Sequence, residues 1–242
     1  MLKGFRDFTG SAPDEVTSVI VTITFPANPE MPPETHDRAI AIVGAVYAGD
    51  VDEGMKITEP LRQLGTPIFD MSGPTPFIGV QTGFDALFPR NTIRAYWKSQ
   101  YVDELTDEAI AFIAKRAQER PAPMTLLNTF HMGGAINAVD PEDTAFSART
   151  SPYMISIDGM WTEADGITDE QGIEWARSVF AGVSEFGTGE VYLNFSGLAG
   201  DEAQNAGVDS ALGRNMKRLG EIKAKYDPDN FFRVNNNIAP AS

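Results

Sequence analysis

The order of strands and helices is the feature that most constrains what this chain can fold into. Six stretches are rich in β-branched and aromatic residues, and we predict strands at 16–26, 38–49, 92–102, 123–134, 152–161 and 190–195. Helical patterns predict helices at 2–8, 50–65, 80–87, 106–121, 168–186 and 211–226. Two strands often stand between successive helices. This order predicts an α+β fold, a large antiparallel or mixed sheet with helices packed on one face.

Capping signals support two of these helices. Thr106 precedes Asp107 and Glu108, which suit the positive end of a helix, and Thr168 with Gln171 forms a capping box. The strand at 38–49 is almost continuously apolar and is therefore predicted to be buried. We find no repeat of fixed period and no low-complexity linker, so one domain is expected.

The composition excludes several classes of partner. The chain has 242 residues and a formal charge of −15, from 19 basic and 34 acidic residues, without a basic cluster for a nucleic-acid backbone. It has two histidines and no cysteine, so we expect no disulfide and no metal site. No stretch approaches the length of a membrane span or a signal-peptide core. We therefore expect a soluble, cytoplasmic protein without nucleic-acid or membrane partners.

No motif for binding a nucleotide phosphate is present. The sequence contains neither G-x-G-x-x-G after a strand nor a P-loop, and it also lacks H-E-x-x-H and G-x-S-x-G. If the chain handles a cofactor, it supplies one wall of the site rather than the whole of it.

The C-terminal segment carries the most specific signal. The sequence KAKYDPDNFFRVNNNIAP (223–240) resembles the C-terminal signature of the berberine bridge enzyme-like FAD-linked oxidases. VYLNF (191–195) and the segments at 94–110 and 130–146 resemble further parts of that family in the same order.

This resemblance implies an incomplete flavoenzyme. The family's N-terminal half binds FAD and attaches it covalently, whereas its C-terminal half is a substrate domain laid over the flavin ring. The chain is similar to that second half alone, with residues 1–225 as the substrate domain and 226–242 as a tail packed on it. FAD would be contacted but not fully bound. The expected partners are an FAD-binding domain or subunit and a small-molecule substrate.

The resemblance assigns flavin contact to Asn235 and Asn237. An amide side chain offers donors and acceptors that suit the edge of the flavin pyrimidine ring. In an extended segment residues two apart point the same way, so Asn236 would turn away. The alternative is that the asparagine run is a turn or a cap after the last helix. Phe231 and Phe232 are expected to anchor the tail on the core.

The VYLNF stretch is expected to place Tyr192 and Asn194 on one face of a strand. By resemblance these residues line the flavin and substrate side, and Tyr192 is also a candidate catalytic residue. Some relatives use a second tyrosine as the base at the position of Phe195, which cannot titrate. The alternative is that Tyr192 is an ordinary half-buried strand tyrosine.

Asp158 is the acidic residue that most suggests catalysis. It interrupts an apolar strand, and buried carboxyl groups acquire raised pKa values suited to a base. We expect Asp158 to orient or deprotonate a substrate hydroxyl group, with Ser156 on the same face near the substrate. The alternative is an edge-strand aspartate that faces solvent.

Three further residues are candidates for substrate contact. Lys98 and Tyr96 share a face of the third predicted strand, and His131 ends the fourth. A lysine on a central strand needs a partner, which can be a substrate acid or simply a nearby protein group. His131 is either a pocket residue or a satisfied loop residue.

Two functions follow from the sequence. The first is the substrate- and flavin-covering half of an FAD-dependent oxidoreductase, which oxidises a small alcohol or amine by hydride transfer and is inactive alone. The second is a flavin-less domain that binds a small molecule or forms a homodimer through its uncovered apolar face.

Overall fold

A computed structural model describes residues 1–25, 27, 32–85, 88–197 and 207–241. Within these ranges the strands are β1 (Val16–Phe25), β2 (Arg38–Tyr47), β3 (Arg94–Val102), β4 (Leu126–His131) and β5 (Tyr153–Trp161). The helices are α1 (Leu2–Thr9), α2 (Val51–Ile57), α3 (Glu59–Arg62), α4 (Phe77–Thr82), α5 (Asp107–Gln118), α6 (Asp169–Ser184), α7 (Val208–Leu212) and α8 (Met216–Tyr226).

The five strands form one antiparallel sheet in the order β2-β1-β4-β5-β3. Helices α5 and α6 pack on one face, which we call the helix face. The opposite face of the sheet is called the far face. The predicted α+β architecture, an antiparallel sheet with helices on one face, is confirmed.

The helix face carries the main apolar core. Ile155 and Ile157 of β5 are fully buried there together with Val179 and Val183 of α6. Both predicted helix caps are present, since Thr106 accepts the N–H of Ala109 and Thr168 forms a capping box with Gln171. Because all nine residues of β5 are buried, both faces of the sheet are covered at this strand.

The expectation that β2 is buried is wrong. β2 is an edge strand, and none of its residues is buried. Its near-continuous apolar sequence borders a cavity of about 690 Å³ along the strand. An apolar run therefore identified the strand without showing how much of it is covered.

The predicted sixth strand at 190–195 is also wrong. The segment does lie along the free edge of β3, where the Tyr101 N–H donates to the Glu190 carbonyl at 3.0 Å and the Gly197 N–H to the Trp97 carbonyl at 2.7 Å. Between these contacts the Tyr192 N–H bonds the Ser99 hydroxyl at 2.9 Å, and Leu193–Phe195 form a 3-10 turn. A side chain therefore interrupts the backbone ladder.

Two predicted helices are divided. The helix expected at 50–65 changes to a second short helix at Thr58, and the helix expected at 211–226 breaks at Gly213, which has a φ of 43°. The helix expected at 80–87 is shifted to Phe77–Thr82, and residues 86–87 lie outside the described part. Among the described residues no helix is long and apolar enough to cross a membrane.

Candidate active site

A buried carboxyl group stands on the far face of the sheet. Asp158 lies on β5, is 5% exposed, and accepts hydrogen bonds from the Ser156 hydroxyl and from Asn128 Nδ2 at 2.8 Å. Asn128 on β4 is directly opposite Ser156 in the sheet. The solvent-facing alternative for Asp158 is thus excluded, and its predicted burial is confirmed.

Burial raises the pKa of Asp158 to about 7, although its hydrogen bonds from Ser156 and Asn128 act in the opposite direction. Removal from water penalises the ionised form, whereas the two donors favour it. Among the residues that the structure describes, no charged partner contributes to this balance. A carboxyl group that titrates near neutral pH can both accept and release a proton, which is the requirement for a general base.

Apolar side chains enclose this polar group on the far face. Met160 and Leu126 lie on one side of it and Met154 and Phe130 on the other, in two separate clusters. Ser99 of β3 is opposite Ser156, so Asn128, Ser156 and Ser99 form a polar row across three strands. Asp158 is therefore largely shielded from water, and the register of the sheet determines which polar side chains lie beside it.

Three buried polar atoms near this row have no hydrogen-bond partner within the described part of the chain. They are Asn128 Oδ1, Trp97 Nε1 and Tyr101 Oη. Burial also raises the pKa of Tyr101 far above its usual range, so its hydroxyl group keeps its proton. The far face thus encloses one acceptor and two donors that are unpaired among the described residues.

Tyr192 and Asn194 flank the aromatic side of the far face. The Tyr192 ring packs edge-on against Phe195 at 5.0 Å and against Phe146 at 6.1 Å. Asn194 is exposed, and its Nδ2 donates to the Tyr192 hydroxyl at 2.8 Å. The two residues are neighbours as predicted, but a 3-10 turn joins them rather than a strand.

Phe195 also contacts the ring of Trp97, with a centroid distance of 5.3 Å, and lies 6.4 Å from Phe130. Its position is therefore over the far face, on the same side as Asp158. Phe195, which cannot act as a base, therefore lies on the same face as Asp158, which can.

Tyr96 and Lys98 lie on the helix face and are separated by the sheet from Asp158. Tyr96 is 3% exposed, and Arg177 of α6 donates to its hydroxyl at 3.3 Å. Lys98 Nζ lies over the Tyr96 ring at 5.0 Å and donates to the Gly197 carbonyl at 3.1 Å. This lysine has protein partners of its own, as the structural alternative described.

His131 also faces the helix side. It is 5% exposed beside the ring of Tyr153, whose hydroxyl group bonds Thr9 of α1 at 2.6 Å. Burial lowers the pKa of His131, so the imidazole is neutral at physiological pH. The structure thus brings Asp158, Ser156 and Tyr192 to one face and leaves Tyr96, Lys98 and His131 on the other.

The C-terminal tail is a turn rather than an extended segment. Asn235 and Asn236 have positive φ angles of 57° and 35°, so the expected alternation of Asn235 and Asn237 across an extended chain is wrong. Asparagine tolerates this left-handed conformation better than most residues do. The turn alternative for this run therefore describes its conformation correctly.

Asp227 organises the start of the tail. Its carboxylate pairs with Lys223 and accepts the backbone N–H groups of Phe231 at 2.8 Å and Phe232 at 3.0 Å. The two phenylalanines are 74% and 75% exposed, so the expectation that they anchor the tail on the core is wrong. The tail is held by its backbone, and its aromatic side chains point away from the core.

Sequence reasoning missed Asn128, Trp97 and Tyr101. Asn128 is an amide within the apolar run LLNTF, the same signal that identified Asp158 on the neighbouring strand. Trp97 and Tyr101 share a face of β3 with Ser99. Alternation alone does not show whether that face is the helix face or the far face of the sheet. The register of three strands was needed to bring these residues together.

Comparison with known proteins identifies relatives. Residues 191–239 match the family model "Berberine and berberine like". An FAD-linked oxidoreductase from Dictyostelium discoideum is 25% identical over 202 residues, which are 82% of this chain and 42% of that protein. A monolignol oxidoreductase, AtBBE-like 13 of Arabidopsis thaliana, is 30% identical over 152 residues, 58% of this chain and 28% of that protein.

Solved structures share the fold. BBE-like #28 from Arabidopsis thaliana superposes with a TM-score of 0.75 and 19% identity, over 100% of this chain and 53% of that one. A chitooligosaccharide oxidase gives a TM-score of 0.71 and 19% identity, over 100% and 52%. The chain spans about half the length of the relatives it matches.

These relatives are mostly FAD-linked oxidoreductases, and the matched domain includes both Tyr192 and the asparagine run. The chain is therefore related to the berberine bridge enzyme-like FAD-linked oxidoreductases and carries, at residues 191–239, the berberine and berberine-like domain of that family.

Proposed function

We propose that this chain is the substrate-facing part of an FAD-dependent oxidoreductase that oxidises a small alcohol or amine. The observation that carries the proposal is Asp158, a buried carboxyl group whose pKa is raised to about 7 and which is held by two neutral donors on the far face. A structural aspartate is more often paired with a cation or exposed to water. Here the arrangement favours proton exchange.

Asp158 would act as the base of this reaction. Its carboxylate accepts the proton of the substrate hydroxyl or amine group while the Ser156 hydroxyl and Asn128 Nδ2 hold its orientation. When bound, FAD supplies the two-electron acceptor for the hydride of the adjacent C–H bond. The substrate loses one proton and one hydride and leaves as a carbonyl compound or an imine.

Polar residues on and beside the far face support a role as one side of a flavin site. Asn128 Oδ1, Trp97 Nε1 and Tyr101 Oη are buried polar atoms without a partner among the described residues, on the same face as the acid. Tyr192 and Asn194 stand beside this face, and the tail presents Asn235 in a turn at the surface. Asn194, Asn235 and Asn237 would hold the cofactor through amide donors and acceptors.

Exposed apolar side chains supply a surface for an FAD-binding domain or subunit. Tyr226, Phe231, Phe232 and Val234 are each at least 74% exposed on the tail. A second group lies at residues 68–84, where Met71 is 82% exposed. Several large apolar side chains exposed together are typical of an interaction surface. The relatives, which are about twice as long, have the additional chain length for such a domain.

The direct test is a fusion that places before residue 1 the part of the Dictyostelium discoideum FAD-linked oxidoreductase that this chain does not cover. We expect a yellow protein that oxidises small alcohols or amines, with a rate that rises through about pH 7 as Asp158 ionises. Asp158→Asn should lower the rate by roughly 10²–10⁴-fold without changing the flavin absorbance. Asp143→Asn, at an exposed position, is the matched control and should retain full activity.

Two results would contradict the proposal. An Asp158→Asn rate equal to that of the wild type removes Asp158 as the base. A colourless fusion that gains no activity with added FAD supports the flavin-less domain instead. In that case, gel filtration of the chain alone shows whether its exposed apolar side chains pair two copies.

A further inference from the structure

A second cavity, unrelated to Asp158, lies on the helix face of the sheet. Its volume is about 530 Å³, within the range of roughly 300–1,000 Å³ typical of small-molecule sites. Ile20 of β1 and Leu127 of β4 form its floor, and Ile113 and Ala114 of α5 form a wall. The floor residues are 2% and 1% exposed, so the accessible wall of the cavity comes from partly exposed residues above them, among them Leu2, Thr22 and Ala114.

Arginine and lysine side chains border this apolar space, and only the lysine is paired with an acid among the described residues. Arg120, just beyond the end of α5, lines the cavity, and its guanidinium group donates to the carbonyls of Ala117 and Thr125, both at 2.7 Å. It also donates to the Thr24 hydroxyl at 3.1 Å and, more weakly, to the Pro123 carbonyl at 3.4 Å. All of these partners are neutral.

Among the described residues no acid compensates the charge of Arg120. Within the described ranges no carboxylate forms a salt bridge with it, and burial alone lowers the pKa of Arg120. The other basic residue of the cavity, Lys3, is already paired with Asp107 at 2.7 Å. Arg120 is partly exposed rather than buried, but a charge without an acidic partner beside an apolar space still lacks compensation.

We propose that this cavity binds a small amphiphile with an anionic head group, of the fatty-carboxylate class. The head group would lie against the guanidinium of Arg120, where charge-assisted hydrogen bonds are strongest. The apolar tail would lie against Leu2, Thr22 and Ala114, the partly exposed residues of the lining. The site is on the opposite face of the sheet from Asp158, so it is independent of the oxidation proposed above.

Isothermal titration of the 242-residue chain with decanoate and with 1-decanol tests this proposal. The two probes share a chain length and differ in charge. We expect saturable binding of decanoate, about tenfold tighter than that of decanol, because only decanoate compensates the guanidinium. Equal affinities, or no saturable binding of decanoate, would overturn the proposal.

Three variants locate the site. Ala114→Phe fills the cavity and should abolish binding of decanoate, while Ala111→Phe on the exposed side of the same helix should leave it unchanged. Arg120→Gln should remove the preference for decanoate and leave decanol binding intact. Because Arg120 also holds the end of α5, the pair of alanine variants decides the matter if Arg120→Gln fails to fold. Decanoate binding that survives Ala114→Phe lies elsewhere and contradicts the proposal.

Discussion

The two faces of β5, the fourth strand across the sheet, are both buried but differ in chemistry. On the helix face β5 contributes Ile155 and Ile157, which pack against apolar residues of α5 and α6. On the far face the same strand contributes Ser156 and Asp158, both 5% exposed or less. Burial therefore stabilises the fold on one face, whereas on the other it raises the pKa of a carboxyl group. The comparison shows that burial alone does not distinguish core from candidate site.

The largest effect on stability is expected on the helix face. Ile157→Ala removes a fully buried side chain and leaves a cavity, so it should lower the free energy of unfolding by about 2–5 kcal/mol. No titratable group is involved, and the loss should be the same at pH 5 and pH 8. Urea unfolding at both pH values measures it. A loss of stability that depends strongly on pH would contradict the claim that burial on the helix face involves no titratable group.

Asp158→Asn should show the opposite behaviour. The folded-state pKa of Asp158, about 7, exceeds its usual value of 3.8, so the folded protein binds more protons between these values. Wild-type stability therefore falls as the pH rises from about 4 to 7 and is constant above that range. The neutral amide avoids this loss, and the variant should be more stable at pH 8 by up to about 4 kcal/mol.

Urea unfolding from pH 4.5 to 8 measures this difference, with Asp143→Asn as the exposed control. The prediction is contradicted if the difference in free energy of unfolding between wild type and Asp158→Asn is the same at pH 5 and at pH 8.

A smaller effect is expected for Asn128→Leu. This change removes the amide donor to Asp158, which favours the ionised carboxylate. The pKa of Asp158 should move upward, and the loss of stability at pH 8 should be about 1.5–3 kcal/mol, the range for hydrogen bonds to charged groups. Below the pKa the loss should be smaller. Thr129→Val, next along β4 but facing the helices, should show no such pH dependence when unfolded in parallel.

The fold was predictable because its signals are local. Five strands and the caps at Thr106 and Thr168 follow from alternation and helix-start residues, whereas the order of the strands in the sheet was not predicted. The strand prediction for 190–195 was wrong because the Tyr192 N–H bonds the Ser99 hydroxyl instead of a backbone carbonyl. Local alternation cannot show a contact between residues so far apart in sequence. The predicted burial of β2 was wrong because an apolar sequence does not show whether other elements cover the strand.

The site was predictable only in part. Asp158 was found because an acid in an apolar strand demands an explanation, and Ser156 followed from its spacing on the same strand. Tyr96 and Lys98 were grouped with them although they lie on the helix face. Where a strand is buried on both faces, odd and even positions are both largely apolar. The sequence then does not show which positions of one strand lie on the same face as which positions of the next.

The central claim is that the far face holds a carboxyl group tuned to neutral pH. Infrared difference spectroscopy of the 242-residue chain, titrated from pH 4 to 9, measures it directly through the carbonyl band of a protonated carboxyl group. The signal that is present in the wild type and missing in Asp158→Asn belongs to Asp158. We predict that this signal disappears with a midpoint near pH 7. A midpoint near pH 4, the ordinary range for aspartate, would contradict the account.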